Sequence, residues 1–160
     1  MTDVKIRVAT EADAAALARF RYELRSSSSE IEGEAEFIER CTVWMRERLR
    51  DNTRWQCWIA ECDETTCGNV WAQLVEKIPN PAAETECYVY LTNFYVRAEH
   101  RGQGIGTLLL SEVLAWSKAN NAHAVILWPR ERSKTLYARH GFDAANDLMH
   151  LRICAGHESS

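Results

Sequence analysis

Asn93-Phe94-Tyr95-Val96-Arg97-Ala98-Glu99-His100-Arg101-Gly102-Gln103-Gly104-Ile105-Gly106-Thr107 reads as the end of a strand, a glycine-bearing loop and the start of a helix, in that order. The first N–H groups of a helix have no internal partner and stand at the positive end of its dipole, so they bind phosphate. Glycines at alternate positions (102, 104 and 106) remove the side chains that would hold a pyrophosphate away. Other phosphate loops fit less well. The dinucleotide fingerprint requires Gly-x-Gly-x-x-Gly, and Gly106 falls one residue early. The nucleoside-triphosphate loop ends Gly-Lys-Ser/Thr, whereas this one ends Gly106-Thr107 without a lysine. A tight strand-to-helix turn that binds nothing is the plain alternative. Arg101 beside the three glycines favours phosphate.

Outward from this stretch, the pattern alternates between sheet and helix. Cys87 to Val96 is the longest strand-like run, and Ile105, Leu109, Val113 and Trp116 form one helical stripe after the loop. Ala122 to Trp128 is nearly all apolar, as expected of a strand covered on both faces, and Pro129 ends it. Arg130 to His140 reads as a helix stopped by Gly141, and Leu148 to Ile153 as a last strand. Upstream, Val4 to Val8 alternates as a first strand, and Thr10 with Asp13 marks a helix start before Leu17, Phe20 and Leu24. A second helix begins near Gly33, with Ile38, Cys41, Met45 and Leu49 on one face. Trp55 to Glu61 and Val70 to Glu76 are strands joined across a polar segment, Asp63 to Gly68.

The chain has 160 residues, 46% hydrophobic and 26% charged, which suits one globular domain spanning residues 1–160. A net charge of −4 argues against a broad nucleic-acid surface. No apolar run is long enough for a membrane span, and the first residues lack a signal-peptide core, so a cytoplasmic protein is expected. The six cysteines contain no Cys-x-x-Cys pair and no histidine at zinc-finger spacing. Six reduced thiols and no metal are the expectation.

Arg101-Gly102-Gln103-Gly104-Ile105-Gly106 matches an Arg/Gln-x-x-Gly-x-Gly/Ala signature, and Leu136-Tyr137-Ala138-Arg139-His140-Gly141-Phe142 matches Leu-Tyr-x-x-x-Gly-Phe downstream. In both motifs and their separation the chain resembles the GCN5-related N-acetyltransferase family, and the order of elements agrees from Val4 to Ile153. The resemblance implies an α/β fold with a mixed, strongly bent sheet of six to seven strands and about four helices. It further implies that the fourth and fifth strands splay apart to admit acetyl-CoA. Backbone groups of Phe94, Tyr95 and Val96 would pair with the pantetheine arm, and Arg101, Gly102, Gln103, Gly104, Ile105, Gly106 and Thr107 would hold the pyrophosphate. Ser133 replaces a common alanine, and Arg130 an asparagine, in the remaining acyl-CoA contact. Homodimers are frequent in the family.

The chemistry then turns on two protons. A tyrosine hydroxyl, with a pKa of about 10, stays protonated at neutral pH and can donate to a departing sulfur, the role the resemblance gives to Tyr137. An alkyl amine is mostly charged at pH 7, so a proton must also leave the acceptor. Thr92 and Asn93 stand where a strand glutamate serves many relatives, Glu84 and Glu86 precede the strand, and no base is assigned. The glutamates at 30, 32, 34, 36 and 39 form a solvated face or attract a cationic amine. Trp55, Trp58 and Trp71 fill core and sheet faces, or one of them walls the acceptor pocket. The expected activity is acetyl transfer to a primary amine of a small molecule or polypeptide by direct attack in a ternary complex. A non-catalytic acyl-CoA sensor and an enzyme using a longer acyl chain are the alternatives.

Overall fold

A computed structural model describes residues 3–26, 33–51, 53–83, 87–144 and 147–154. The chain divides into two compact units, Met1–Ile126 and Leu127–Ser160.

The first unit is a five-stranded sheet in the order β1-β2-β3-β4-β5, made of β1 (Val4–Val8), β2 (Trp55–Cys62), β3 (Thr65–Glu76), β4 (Cys87–Val96) and β5 (Val125–Ile126). The first four are antiparallel neighbours, and β5 runs parallel to β4. Asp63 and Glu64, at φ 48° and 65°, close β2 onto β3 in two residues, the backbone that a tight hairpin turn demands. Most of the polar segment read as a connection is therefore strand.

Helix α1 (Ala14–Arg25) follows a short turn at Glu11–Asp13, and α2 is Glu34–Asp51. Arg7 anchors that start: its guanidinium donates twice to Asp13 at 2.8 Å and once to Glu61 at 2.7 Å. Leu17, Ala18 and Phe20 of α1 and Met45 of α2 are buried with Cys57, Ile59 and Trp71 of the sheet, while Ile38, Cys41 and Leu49 pack on this core. The stripe spacing placed these residues correctly. Each fully buried Leu, Ile or Phe contributes about 1.5–3 kcal/mol. Helix α3 (Ile105–Ala119) buries Ile105, Leu109 and Val113, and Trp116 meets Trp58 of β2 edge-on at 5.7 Å.

In the second unit, a turn at Glu131–Ser133 leads into α4 (Lys134–Arg139).

Two expectations are corrected. Among the described residues the sheet has five strands rather than six or seven: no strand forms over residues 148–153, and β5 shrinks to two residues. Met149, Leu151 and Ile153 are 95%, 79% and 82% exposed, so the apolar pattern of this segment buries nothing, and alternation alone makes no strand. The thiols are not all reduced: Cys62 and Cys67 are bonded, and Cys41, Cys57, Cys87 and Cys154 are free. A register shift after Ala60 leaves Cys67 as the extra residue of a bulge, beside the hairpin turn and near Cys62. A separation of five residues hides that proximity from a search for Cys-x-x-Cys.

Among the described residues no helix is long and apolar enough to cross a membrane, and no cluster of side chains suits a metal ion.

Candidate active site

Strand β4 outruns its parallel neighbour. Only Val89 and Tyr90 pair with β5, opposite Val125 and Ile126, so β4 continues for six residues past the end of that pairing. Within those six residues lies a bulge. Trp71 pairs with Thr92 and Asn69 with Tyr95, which leaves Asn93 and Phe94 opposite Val70 alone. Asn93 takes φ 51°, a left-handed conformation that asparagine tolerates far better than its β-branched neighbours do. A single asparagine inside Tyr-Val-Tyr-Leu-Thr-Asn-Phe-Tyr-Val was the available signal for the bulge, since asparagine is depleted from strands.

The end of β4 is braced from α1. The Tyr95 hydroxyl donates to Glu23 at 3.0 Å, Arg97 pairs with the same carboxylate at 3.1 Å, and Tyr95 packs on Phe20 at 5.8 Å between centroids. Burial, and then the Glu23 hydrogen bond, push the Tyr95 phenol up. Its ring is thus committed to the helix side of the sheet.

Beyond Val96 the chain turns through Ala98–His100 into the glycine loop. Arg101 curls back, and its Nε donates to the Val96 carbonyl at 2.8 Å. Gln103 donates to the Glu99 carbonyl at 3.4 Å. Gly102 and Gly104 adopt φ 75° and 81°, and a Cβ built on either would meet nothing within 4 Å. These glycines are required by backbone conformation and also keep the space before the helix open. Gly104 is the residue that caps α3; the helix start has no side-chain cap and no acidic residue in its first turn. Its leading N–H groups, from Ile105, Gly106 and Thr107, have no intrahelical carbonyl to reach. Helix-start N–H groups without intrahelical partners, the helix dipole and Arg101 make this loop electropositive within an acidic protein.

A cavity of about 410 Å³ lies on the helix side of β2–β4, reaching Thr92 and Asn93 at the bulge. Trp44, Trp55 and Trp71 wall it with ring centroids 5.4–6.1 Å apart, joined by Phe37, Met45 and Tyr90. Two of the three tryptophans read as core thus wall a pocket, and Trp58 fills the opposite face. Sequence reasoning overlooked Trp44, Arg21 and Arg40, which line the same cavity. The helical stripe of α2 marks the core-facing residues, whereas Arg40 and Trp44 flank it. Cys41 also lines the cavity, and burial pushes its thiol up, so it stands there neutral.

Ser133 and Tyr137 belong to the second unit. Ser133 ends the turn before α4 and gives it no side-chain cap. Tyr137 is buried, packs edge-on against Phe142 at 5.5 Å, and has its phenol pushed up to about 12 by burial. Its carbonyl accepts from His140 and Phe142 at 2.9 and 3.1 Å, which closes the Leu-Tyr-x-x-x-Gly-Phe turn. His140 is the helix-terminal residue that its position suggested. Glu84 and Glu86 lie outside the described residues, as do Glu30 and Glu32; Glu34, Glu36 and Glu39 are exposed.

A strand running past its neighbour, bulged midway, is followed at once by an uncapped helix start. Comparison makes the class specific. The acetyltransferase (GNAT) family profile matches residues 17–142, and the chain belongs to that family. No curated protein matches it significantly. Among solved structures it is similar to a predicted acetyltransferase from Clostridium acetobutylicum, determined with acetyl-CoA, at 22% identity and a TM-score of 0.79, covering 98% of this chain and 100% of that one. It is similar also to a GCN5-related N-acetyltransferase from Ralstonia eutropha JMP134 (21%, TM-score 0.77, 94% and 99% covered). A third is glucosamine-6-phosphate N-acetyltransferase from Arabidopsis thaliana (14%, TM-score 0.69, 95% and 99% covered).

Proposed function

We propose that the chain is an acetyl-CoA-dependent N-acetyltransferase whose acceptor is a primary amine. The observation that carries this reading is that β4 runs six residues past its pairing with β5, leading directly into the uncapped start of α3. An extended pantetheine arm would add to that edge through backbone groups of Phe94, Tyr95 and Val96, as a peptide adds to a sheet. Arg101 through Thr107 would take the pyrophosphate. Ser133 and Tyr137 are assigned by the downstream motif, Ser133 to the coenzyme and Tyr137 to the sulfur. The acetyl-CoA in the similar Clostridium acetobutylicum structure supports the choice of ligand.

The acceptor enters through the aromatic cavity. Its neutral nitrogen attacks the thioester carbonyl, forming the C–N bond. As the C–S bond breaks, the sulfur takes a proton from the Tyr137 hydroxyl, and the proton lost by the amine passes to solvent, which returns one to the Tyr137 phenolate. The neutral Cys41 thiol in the cavity favours direct attack over an acetyl-cysteine intermediate, because the thiolate is the nucleophile. The same reading takes residues 1–160 as one catalytic domain that needs no metal and works in the cytoplasm, as a monomer or a homodimer.

The test is release of coenzyme A thiol from acetyl-CoA across a panel of amines. Acceptor-dependent release supports catalysis. Binding of acetyl-CoA without release by any amine turns the reading to a sensor, and faster release from a longer acyl-CoA turns it to a different acyl donor.

A further inference from the structure

Strand β3 carries a polar side chain in the middle of an apolar core. Asn69 stands two residues before Trp71, on the same face of β3 as that cavity wall, and is fully buried. A buried carboxamide opposes folding unless its groups are hydrogen-bonded. Asn69 is only half satisfied: its Nδ2 donates to the Asn93 carbonyl at 3.3 Å, and its Oδ1 has no partner among the described residues. Stability alone does not account for an asparagine at this position. The bond it makes falls at the bulge, where Asn93 and Phe94 stand opposite Val70 alone and the ladder is interrupted. Gly68, beside it, lets the two strands close up: a Cβ there would stand 2.8 Å from the Tyr95 carbonyl oxygen. The side-chain oxygen of Asn93 accepts from Arg21 of α1 at 3.3 Å. Asn93 is thus held at both of its oxygens, one by a strand and the other by a helix.

We infer that Asn69 is a positioning residue of the transferase site: by holding the Asn93 carbonyl it fixes the bulge of β4, and with it the alignment of the acceptor cavity against the coenzyme strand. This rests on the acetyltransferase reading and adds to it a residue outside the reacting groups. Asn93 is where the two halves of the site meet, since it lines the cavity and immediately precedes Phe94, Tyr95 and Val96. Asn69 is absent from the cavity lining, so it acts through Asn93. The peptide between Asn93 and Phe94 is planar and trans, and fixing its carbonyl fixes the whole plane. Without the Asn69 donor, that plane is free to turn about a residue already held at φ 51°. An attacking amine must come within about 3–3.5 Å of the thioester carbon in the right direction, a tolerance that a turned peptide exceeds.

Asn69→Leu in the full chain tests this, because it removes the donor and keeps a side chain of similar size. With an amine that the parent acetylates, kcat should fall ~10–10²-fold, the cost of misplacing a reactant by about 1 Å. KM for acetyl-CoA, and the Tm shift that acetyl-CoA induces, should stay at parental values, which also shows that the variant folds. Hydrogen–deuterium exchange over residues 92–95 should quicken in the unliganded variant, while β2 exchanges as in the parent. Asn69→Ala, which adds no bulk, carries the same comparison if the leucine does not fold. Parental kcat, or a loss confined to Tm, makes Asn69 a packing residue and overturns the inference. A fall in kcat matched by an equal loss of acetyl-CoA binding overturns it too, since that is general damage to the site. The two readings fail separately. If the parent acetylates no amine, the transferase reading falls, and quickened exchange over residues 92–95 still supports the hold on the bulge. If the parent is active and the variants match it, only the present inference falls.

Discussion

The Tyr137 phenol, pushed up to about 12, remains a proton donor through the whole range in which an amine acceptor is usable. Tyr137→Phe keeps the ring against Phe142 and deletes only that donor. General acid catalysis contributes ~10²–10⁴-fold, and a thiolate is already a fair leaving group, so kcat should fall ~10²-fold with KM for acetyl-CoA little changed. Parental kcat under conditions where chemistry is rate-limiting would make Tyr137 a packing residue. Asp13 titrates in the opposite sense. The Arg7 hydrogen bonds hold its carboxyl below the usual range, with the Thr10 N–H, 2.8 Å away, adding to them. A carboxyl with a lowered folded pKa contributes stability above its unfolded pKa of about 3.9 and loses it as pH falls through the folded value. Asp13→Ala should therefore cost ~1.5–3 kcal/mol in urea unfolding at pH 7, and the gap to the parent should narrow below about pH 4. A gap that does not change with pH would mean that Asp13 acts through packing alone.

The loop between β4 and α3 tests how far local sequence fixes a binding element. Sequence reasoning treats Gly104 only as a place where a side chain would hold a pyrophosphate away. At φ 81° the position also constrains the fold, because any L side chain there is strained. Gly104→Ala should lower stability by ~1 kcal/mol and, separately, weaken acetyl-CoA binding. The second effect is read as a smaller ligand-induced shift from the variant's own unliganded Tm. An undiminished shift would remove the loop from the site. The strand, the loop and both α2 and α3 stripes were legible because period and punctuation are local. The bulge was not, since it is a mismatch of register with β3 and no single strand contains it. The hairpin disulfide was hidden for the same reason: proximity of Cys62 and Cys67 depends on where β2 turns.

In the assembled chain, the cavity was the least legible feature of all, because its lining comes from α1, α2, β2, β3 and β4, each of which hides it. Trp55 and Trp71 were identified as core or pocket without a way to decide; Trp44 decides it by standing 39% exposed over both. The coenzyme end is easier to recognise and gives the simplest global measurement. A ligand that binds only the folded chain at 100 times its Kd stabilises it by about 2.7 kcal/mol. For a chain of this length each kcal/mol moves Tm by roughly 2–4 °C, so acetyl-CoA should raise it by ~5–10 °C. The shift must need both ends of the ligand. Pantetheine without the pyrophosphate would reach β4 but not the α3 start, and should give a much smaller shift at equal concentration. NAD carries a pyrophosphate but no pantetheine arm, and Gly106 stands one residue early for its fingerprint. If NAD shifts Tm as far as acetyl-CoA does, the loop is a general pyrophosphate binder and the run of β4 past β5 takes no part in choosing the coenzyme.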